Sequence, residues 1–364
     1  MVPHTSSSRR RLLQLAGLGG VTCLATLGST TLALPSQTLQ FPRDRGAHTD
    51  FRTEWWYITG QALAAGNGNR VFGFQLTFFR SRLAGTQDMR SGFAAKQLVF
   101  AHAAVTDVQG KKLWHDQRIA RTGFGIAFAS DQDMDVKLRD WTLRADGKQY
   151  QAALESTDFA LGLAFAETQP VLLQGNQGLS RKGPQEQQAS YYYSQPQLAV
   201  SGSLRLQAQT FQVAGKAWLD HEWSQEVLHP TAVGWDWIGM NLDDGAALTA
   251  FRLRDKQGNA VWTGGSLRSA QGELRIFLPD EVVFTAGRRW KSPLTQIAYP
   301  VEWSVRSPAG LHTVRALVDA QELDSRSSTG SVYWEGLSEL VDAMRGRVGQ
   351  GYLEMTGYGQ PLQM

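Results

Sequence analysis

The segment Val71-Phe72-Gly73-Phe74-Gln75-Leu76-Thr77-Phe78 decides the fold class, because a large apolar residue occupies every second position in it. In an extended chain these apolar side chains all point to one face, as they do in a half-buried β-strand. Similar short segments recur at residues 98–105, 141–144, 150–154, 198–206, 246–253 and 301–305. Turn-forming pairs such as Asp146-Gly147 separate them. The pattern predicts an all-β protein made of barrels or sandwiches.

The chain begins with the pattern of an export signal over residues 1–33. The string Ser8-Arg9-Arg10-Arg11-Leu12-Leu13-Gln14 fits a twin-arginine signal, and the apolar run at 12–27 is too short and too Gly-rich for a spanning helix. Small residues before and at Ala33 predict cleavage near that position, and an uncleaved anchor is the alternative. We therefore expect a periplasmic or secreted protein whose mature chain starts near Leu34.

Charge and cysteine content narrow the range of functions. The full chain has 36 basic and 33 acidic residues, and the predicted signal takes away three arginines and no acids, so the mature chain is neutral. A neutral chain gives no reason to expect a nucleic-acid partner. The one cysteine, Cys23, lies in the predicted signal, so we expect neither disulfides nor thiolate chemistry in the mature protein.

Two clusters of aromatic and acidic residues are the candidates for a functional site. The first is Glu54-Trp55-Trp56-Tyr57, and the second is Trp218-Leu219-Asp220-His221-Glu222-Trp223, followed by Trp235-Asp236-Trp237. A tryptophan needs a large apolar slot and a partner for its N–H group. Tryptophans beside carboxyl groups and a histidine predict an apolar cavity that holds a few polar groups.

Strand alternation divides each cluster between two faces, because successive side chains of a strand point in opposite directions. In the second cluster Asp220 and Glu222 share one face, and His221 lies on the other. In the first cluster Glu54 is separated from Trp55 in the same way. We expect one set to line an interior and the other to pack outside it or against a second domain.

The predicted catalytic and binding groups come from these clusters. The catalytic candidates are Glu54, Asp220, His221 and Asp236, and the ligand-binding candidates are Trp55, Trp56, Tyr57, His102, Trp223, Trp235 and Trp237. A carboxylic acid walled by tryptophan ionises with difficulty, so its pKa rises and it can donate a proton. Aromatic faces then stabilise a developing carbocation. These groups suit the protonation of a carbon–carbon double bond followed by capture of water.

The alternative interpretation of the same residues is structural. A buried acid of this kind often pairs with an arginine, and Arg52, Arg80 and Arg82 are available. His221 is equally expected as a hydrogen-bonded core histidine. The chain has no Gly-x-Ser-x-Gly motif, no zinc-ligand spacing after His221 and no phosphate-binding or dinucleotide motif. We therefore expect no metal and no cofactor.

Longer motifs resemble those of the AttH/CrtC family, at residues 41–48, 51–60, 215–223, 234–238, 332–336 and 351–357. The resemblance implies two consecutive lipocalin-like, calycin-type β-barrels. On that basis we divide the mature chain into an N-terminal domain at 34–228 and a C-terminal domain at 229–364. The resemblance also implies that the segments holding Glu54, Asp220, His221, Trp223, Asp236 and Trp237 contribute a site.

The resemblance leaves three functions open. One is a cofactor-independent hydro-lyase like carotenoid 1,2-hydratase, which adds water to an isoprenoid double bond. The second is a non-catalytic carrier of a lipid or other apolar molecule, or an accessory protein of an inner-membrane ABC transporter. The third is a secreted hydrolase. All three agree with an apolar small-molecule ligand, and we expect the protein to be a monomer.

Overall fold

The computed structural model describes residues 33–66, 70–225 and 228–362. The predicted export signal, including Cys23, therefore lies outside the described residues except for Ala33. Within these three ranges the chain forms strands and short 3-10 turns, at Arg43–Arg45, Ala84–Thr86 and Pro279–Glu281, and no α-helix. Consequently no helix in the described part of the chain is long and apolar enough to cross a bilayer.

The first sheet contains thirteen antiparallel strands from the first part of the chain. Their bounds are β1 Thr53–Ala64, β2 Val71–Arg82, β3 Gln97–Asp107, β4 Lys112–Arg121, β5 Ala127–Ala129, β6 Asp135–Leu138, β7 Trp141–Asp146, β8 Gln149–Glu155, β9 Phe159–Ala166, β10 Leu172–Leu173, β11 Leu179–Arg181, β12 Ala189–Leu206 and β13 Gln209–Ser224. The main order is β4-β3-β2-β1-β13-β12-β9-β8-β7-β6-β5, so the first strand pairs with the last. The sheet curls into a nearly closed barrel.

The second sheet contains ten antiparallel strands from the remainder of the chain. Their bounds are β14 Gly234–Leu242, β15 Ala247–Arg254, β16 Ala260–Arg268, β17 Leu274–Phe277, β18 Val283–Ala286, β21 Glu302–Ser307, β22 Gly310–Ala316, β23 Glu322–Ser325, β24 Ser331–Asp342 and β25 Gly346–Met355. Strands β19 Arg289–Lys291 and β20 Ala298–Pro300 form a separate pair. Here too the first strand, β14, pairs with the last, β25. The predicted all-β class with two consecutive lipocalin-like β-barrels is confirmed: the first sheet is a nearly closed barrel, and a second large sheet follows it.

The predicted boundary between residues 228 and 229 falls between β13 and β14, where the chain passes from one sheet to the other. The division into two domains at that point stays a prediction. The two sheets pack directly on each other through a third apolar cluster, separate from the cores of the sheets. It contains Tyr57, Leu172, Trp218, Trp237, Ala247, Phe251, Leu337 and Tyr352.

Strand β2 shows why both faces of the first sheet are buried where the sheets meet. The four predicted apolar residues, from Phe72 to Phe78, are fully buried in the core of the first sheet. The opposite face meets the second sheet, so Gly73, Gln75 and Thr77 are buried as well. At Gly73 a Cβ atom would lie 2.8 Å from the Tyr352 hydroxyl oxygen. The close approach of the sheets therefore requires glycine at this position.

Candidate functional site

A cavity of about 680 Å³ lies between the two sheets. Its volume is in the range of sites that bind small molecules, which span about 300–1,000 Å³. Its aromatic wall comes from both sheets and contains Trp55, Tyr57, Phe79, Phe100, Tyr192, Trp235, Trp237, Phe251 and Tyr333. Its carboxyl groups are Asp220 and Glu222 from the first sheet and Glu335 and Glu354 from the second.

Strand register brings these carboxyl groups and rings together. Tyr57 of β1 lies opposite Asp220 of β13. In the second sheet, Glu354 of β25 lies between Trp237 of β14 and Glu335 of β24. Directly opposed residues of an antiparallel pair have Cβ atoms about 4.5–5.5 Å apart, so these side chains are neighbours.

Asp220 is buried and held by three hydrogen bonds. The Tyr192 hydroxyl donates to Oδ2 at 2.8 Å, while the Ser194 hydroxyl and the Trp218 Nε1–H donate to Oδ1 at 2.5 and 2.7 Å. Burial raises the pKa of Asp220 to about 7, although these hydrogen bonds act against the rise. Since both oxygens already accept hydrogen bonds, Asp220 is fixed in position.

Glu335 and Glu354 form a pair of acids on neighbouring strands, with Glu335 buried and Glu354 partly buried at the cavity. Burial raises the pKa of Glu354 to about 7, and the charges of Asp220 and Glu222 add to the rise, while the Trp235 side chain opposes it. Burial and the charge of Glu354 raise the pKa of Glu335 well above its ordinary value. Glu354 is therefore a source of protons close to neutral pH.

Glu222 differs from the other three carboxyl groups because it has a cationic partner. The Lys182 ammonium lies 3.0 Å from Oε1 of Glu222, and the Ser190 hydroxyl donates a hydrogen bond to the same oxygen. The ammonium also lies 4.7 Å from the Tyr192 ring centre and 4.5 Å from that of Phe251. Lys182 lies in the connection between β11 and β12 and reaches into the cavity from there.

His102 lines the cavity and joins the two sheets. Its Nδ1 lies 2.8 Å from the Tyr333 hydroxyl oxygen and its Nε2 lies 2.8 Å from the Ser328 hydroxyl oxygen. Burial lowers the pKa of His102 to about 3, so the imidazole is neutral and a weak base. The Ser328 hydroxyl donates to Oε1 of Gln117 at 2.5 Å. This geometry fixes the loop after β23 and does not activate Ser328 as a nucleophile.

Glu54 lies away from the cavity, in the core of the first sheet. The Nε–H of Arg80 donates to its Oε2 at 2.7 Å, His48 Nδ1 lies 2.7 Å from its Oε1, and His221 Nε2 lies 3.0 Å from the same oxygen. Burial alone would raise the pKa of Glu54, but the hydrogen bonds with His221 and His48 and the charge of Arg80 hold it well below its usual range. Burial lowers the pKa of His221 to about 4, so this imidazole is neutral.

The core around Glu54 also contains the residue types of a metal site. His48, Glu54 and His221 each offer a ligand atom within 4.8 Å of the others, and two histidines with one carboxylate can bind iron. However, the Arg80 guanidinium already neutralises the same carboxylate, and its side chain is 1% exposed. A cation beside the Arg80 charge would be repelled, so the trio fits a structural hydrogen-bond network better than a metal site.

Asp236 occupies the corresponding place in the second sheet. Its Oδ2 accepts a hydrogen bond from Arg252 Nε at 2.6 Å, and its Oδ1 accepts one from the Tyr358 hydroxyl at 2.8 Å. Asp236 of β14 and Arg252 of β15 lie directly opposite each other, as Glu54 and Arg80 do in β1 and β2. Both sheets therefore carry a buried acid–arginine pair on their first hairpin.

The structure separates the predicted site residues into two groups. Of the four catalytic candidates, Asp220 lines the cavity, whereas Glu54, His221 and Asp236 lie in the cores. Among the ligand-binding candidates, five line the cavity, namely Trp55, Tyr57, His102, Trp235 and Trp237. Trp56 and Trp223 instead stack against the core histidines. The alternation predicted for the two clusters accounts for this division.

Three of the four carboxyl groups of the cavity, and the lysine that pairs with one of them, were not among the predicted site residues. They are Lys182, Glu222, Glu335 and Glu354. Glu335 follows the buried Trp334, and Glu354 precedes the buried Met355. Strand alternation therefore places both glutamates on the face opposite the core, which could have been an outer face. Nothing in the local sequence shows that this face meets the first sheet.

The substitution Glu354→Gln directly tests whether the pKa of Glu354 is raised in the folded protein. In the unfolded chain Glu354 ionises near pH 4.3, while in the folded protein it keeps its proton up to about pH 7. The unfolded state is thus favoured as pH rises from about 4 to 7, and the amide removes this cost. We expect Glu354→Gln to raise the free energy of unfolding by up to about 3 kcal/mol at pH 8 and to leave it unchanged at pH 4.

Denaturant unfolding at the two pH values measures this difference. The matched control is Glu273→Gln, at an exposed glutamate, which we expect to change stability by less than about 0.5 kcal/mol at either pH. A Glu354→Gln protein that is less stable than the wild type at pH 8 would show that Glu354 is an ordinary ionised carboxylate.

Comparison with known proteins places the chain in a family. The model of a family described as AttH-like matches residues 32–358. A crystal structure of a candidate AttH protein from Nitrosomonas europaea is 46% identical, with a TM-score of 0.83, and the match covers 90% of this chain and 99% of that chain. No curated protein matches the chain.

Two more distant structures share the fold. Kievitone hydratase from Nectria haematococca has a TM-score of 0.69 at 13% identity, with 89% of this chain and 94% of that chain covered. CghA in complex with Sch210972 has a TM-score of 0.53 at 13% identity, with 92% and 96% covered. At this identity the likeness concerns the fold alone.

Proposed function

The chain belongs to the AttH-like family, and from that premise we propose that it adds water to a carbon–carbon double bond of an apolar ligand held between the two sheets. The observation that carries the proposal is a cavity walled by aromatic rings whose buried carboxyl groups have raised pKa values. A hydratase among the proteins of the same fold, kievitone hydratase, supports the choice of reaction.

Glu354 is the proton donor in this proposal. Both oxygens of Asp220 are occupied by hydrogen bonds, whereas Glu354 is only partly buried and faces the cavity. Its pKa of about 7 is close to the pH at which an acid works best as a general acid near neutrality. Burial keeps Glu354 protonated, and the charges of Asp220 and Glu222 add to this effect because they repel a further negative charge.

The reaction has two steps. The O–H proton of Glu354 goes to one carbon of the double bond and forms a C–H bond, which leaves a carbocation on the other carbon. The rings of Trp55, Trp235 and Trp237 stabilise this cation. A water oxygen then bonds to the cationic carbon, and one water proton returns to the Glu354 carboxylate. No cofactor is needed for these steps.

Mass spectrometry of the native protein, followed by extraction, tests the proposal. Protein purified from cells is expected to carry an apolar molecule, and incubating that molecule with the protein in heavy-oxygen water is expected to place the label in a new hydroxyl group. A ligand that binds and is returned without label would contradict hydration and favour the carrier alternative. The outcome thus separates the two functions.

A carbocation intermediate predicts that the cavity prefers a fixed cation to a neutral molecule of the same shape. The Lys182 ammonium shows that the cavity accommodates a cation, since it lies beside the rings of Tyr192 and Phe251. We expect an alkyl trimethylammonium ion to bind about tenfold more tightly than its neutral tert-butyl isostere. Tryptophan fluorescence titration measures both affinities. The Trp235→Leu variant should lose the preference, and equal binding of the two probes to the wild type would argue against it.

Export through the twin-arginine route, a periplasmic or secreted location, the monomeric state and a transporter partner stay predictions. Fractionation of cells would test the first two, because a protein with an active signal leaves the cytoplasm. Binding to a transporter would support the carrier function, because a carrier must deliver its ligand. A hydratase needs only its ligand and water. These properties are independent of the chemistry proposed for Glu354.

A further inference from the structure

Two loops beside the cavity expose large aromatic side chains. Phe93, in the connection between β2 and β3, is 77% exposed, and Phe124, in the connection between β4 and β5, is 61% exposed. Met89 and Ile126 on the same two connections are also exposed, at 51% and 42%, as is Phe128 in the adjoining strand β5, at 40%. We call these five residues the aromatic patch. Apolar residues in such a group mark an interaction surface more often than exposed residues that stand alone.

The patch is an ordered contact between the two loops. The rings of Phe93 and Phe124 stack with centres 5.7 Å apart and an angle of 19° between their planes. The Arg121 guanidinium lies 4.2 Å from the Phe124 ring centre, and its Nη1–H donates to the Gly92 carbonyl oxygen at 3.3 Å. The two rings are thus held side by side with their outer surfaces in solvent.

The charges on the Phe93 connection and directly at the two rings favour an anionic partner. Between residues 83 and 96 the chain carries Arg90 and Lys96, both exposed, against the single acid Asp88. Arg121 adds a positive charge directly at the rings. Aromatic residues with arginine and lysine beside them are typical of segments that sit in the interface of a bilayer containing anionic lipids.

Both connections that carry the patch begin close in sequence to residues that line the cavity. Arg82, Leu83 and Ala84, at the start of the Phe93 loop, line the cavity. Ile119, which lies two residues before Arg121, lines it as well and is 40% exposed. A bilayer beneath the patch would therefore lie near the cavity-lining residues at the start of both connections.

We propose that the aromatic patch docks the protein reversibly on an anionic lipid surface, with the cavity mouth toward the bilayer, so that the apolar ligand enters from the membrane. This inference rests on the proposed function only in that the ligand is apolar, and it does not depend on hydration. Two phenylalanines with a few basic residues give weak, reversible attachment. The attachment should weaken as salt screens the basic residues.

Cosedimentation with lipid vesicles tests the inference. The full chain is mixed with vesicles of phosphatidylcholine alone or of phosphatidylcholine with phosphatidylglycerol. We expect binding to the mixed vesicles that falls at least about tenfold in the double variant Phe93→Ser, Phe124→Ser. The matched control replaces Leu294 and Met344 by Ser, which are 89% and 93% exposed in the connections between β19 and β20 and between β24 and β25. The control should bind as the wild type does.

All three proteins retain residues 1–32, so the difference between them reports the patch rather than the N-terminal segment. Thermal unfolding confirms that each variant is folded before the vesicles are added. Equal vesicle binding by the wild type and the double phenylalanine variant overturns the inference. A dimer of the wild type that the same variant dissolves also overturns it, in favour of a second copy as the occupant. Neither result would affect the labelling test for hydration.

Discussion

Replacing Arg80 by Leu is expected to lower the free energy of unfolding by about 3–5 kcal/mol, because it leaves the Glu54 carboxylate charged and without its cation in the core. The loss is not confined to the ion pair. Two further N–H groups of Arg80 donate to the carbonyl oxygens of His48 and Phe51, at 2.8 and 3.0 Å, and these would lose their partners. Denaturant unfolding followed by circular dichroism measures the effect.

A second variant separates the unpaired charge from the lost packing. The double variant Arg80→Leu, Glu54→Gln has no buried charge at this place, so we expect it to regain part of the stability. Arg326→Leu provides the control, because Arg326 pairs with Asp324 at the surface and is 65% exposed. That change should cost less than about 1 kcal/mol. A loss in Arg80→Leu no larger than in Arg326→Leu would show that Glu54 is not ionised in the folded protein.

Replacing Glu354 by Gln is expected to reduce the rate of the proposed hydration by about 10²–10⁴-fold, because the amide cannot give a proton to the double bond. Ligand affinity should change much less, since the amide has the shape of the acid and the aromatic walls remain. Incorporation of heavy oxygen into the ligand measures the rate, and fluorescence titration measures the affinity. The wild-type rate should also fall as pH rises through about 7, where Glu354 loses its proton.

The groups around Glu354 set that pH dependence. Three further acids surround Glu354, namely Asp220, Glu222 and Glu335. The nearby cation is Lys182, which pairs with Glu222. The controls are Glu54→Gln and Asp236→Asn, which are expected to lower stability and to leave the rate per folded molecule nearly unchanged. If these core variants lose turnover and Glu354→Gln does not, the proton donor has been assigned to the wrong acid.

The sequence carried enough information for the fold and for half of the site. Alternation at residues 71–78 predicted strands, and the long motifs predicted the family, because both signals are local or lie in one continuous stretch. The division of Trp55 from Glu54 and of Asp220 from His221 also followed from a period of two. The period of two did not show which of the two faces lines the cavity, since either side of a strand can become a core.

The missing half of the site depends on contacts between distant segments. Glu335 and Glu354 are functional candidates only because β24 and β25 lie against the first sheet, more than a hundred residues away in sequence. Likewise, three arginines could have paired with Glu54, and the register of β1 and β2 selected Arg80. Register and the packing of sheets arise from the whole chain, which is why local patterns do not reveal them.

Strand β13 alternates between cavity and core, with Asp220 and Glu222 on one face and His221 and Trp223 on the other. A deletion or insertion of one residue in this stretch would exchange the two sets, burying the acids in the core and turning core rings outward. A change of length in this strand would therefore disrupt the core and the cavity together. A replacement of one side chain alters only one of them, so the cavity lining can be changed one residue at a time without disturbing the core.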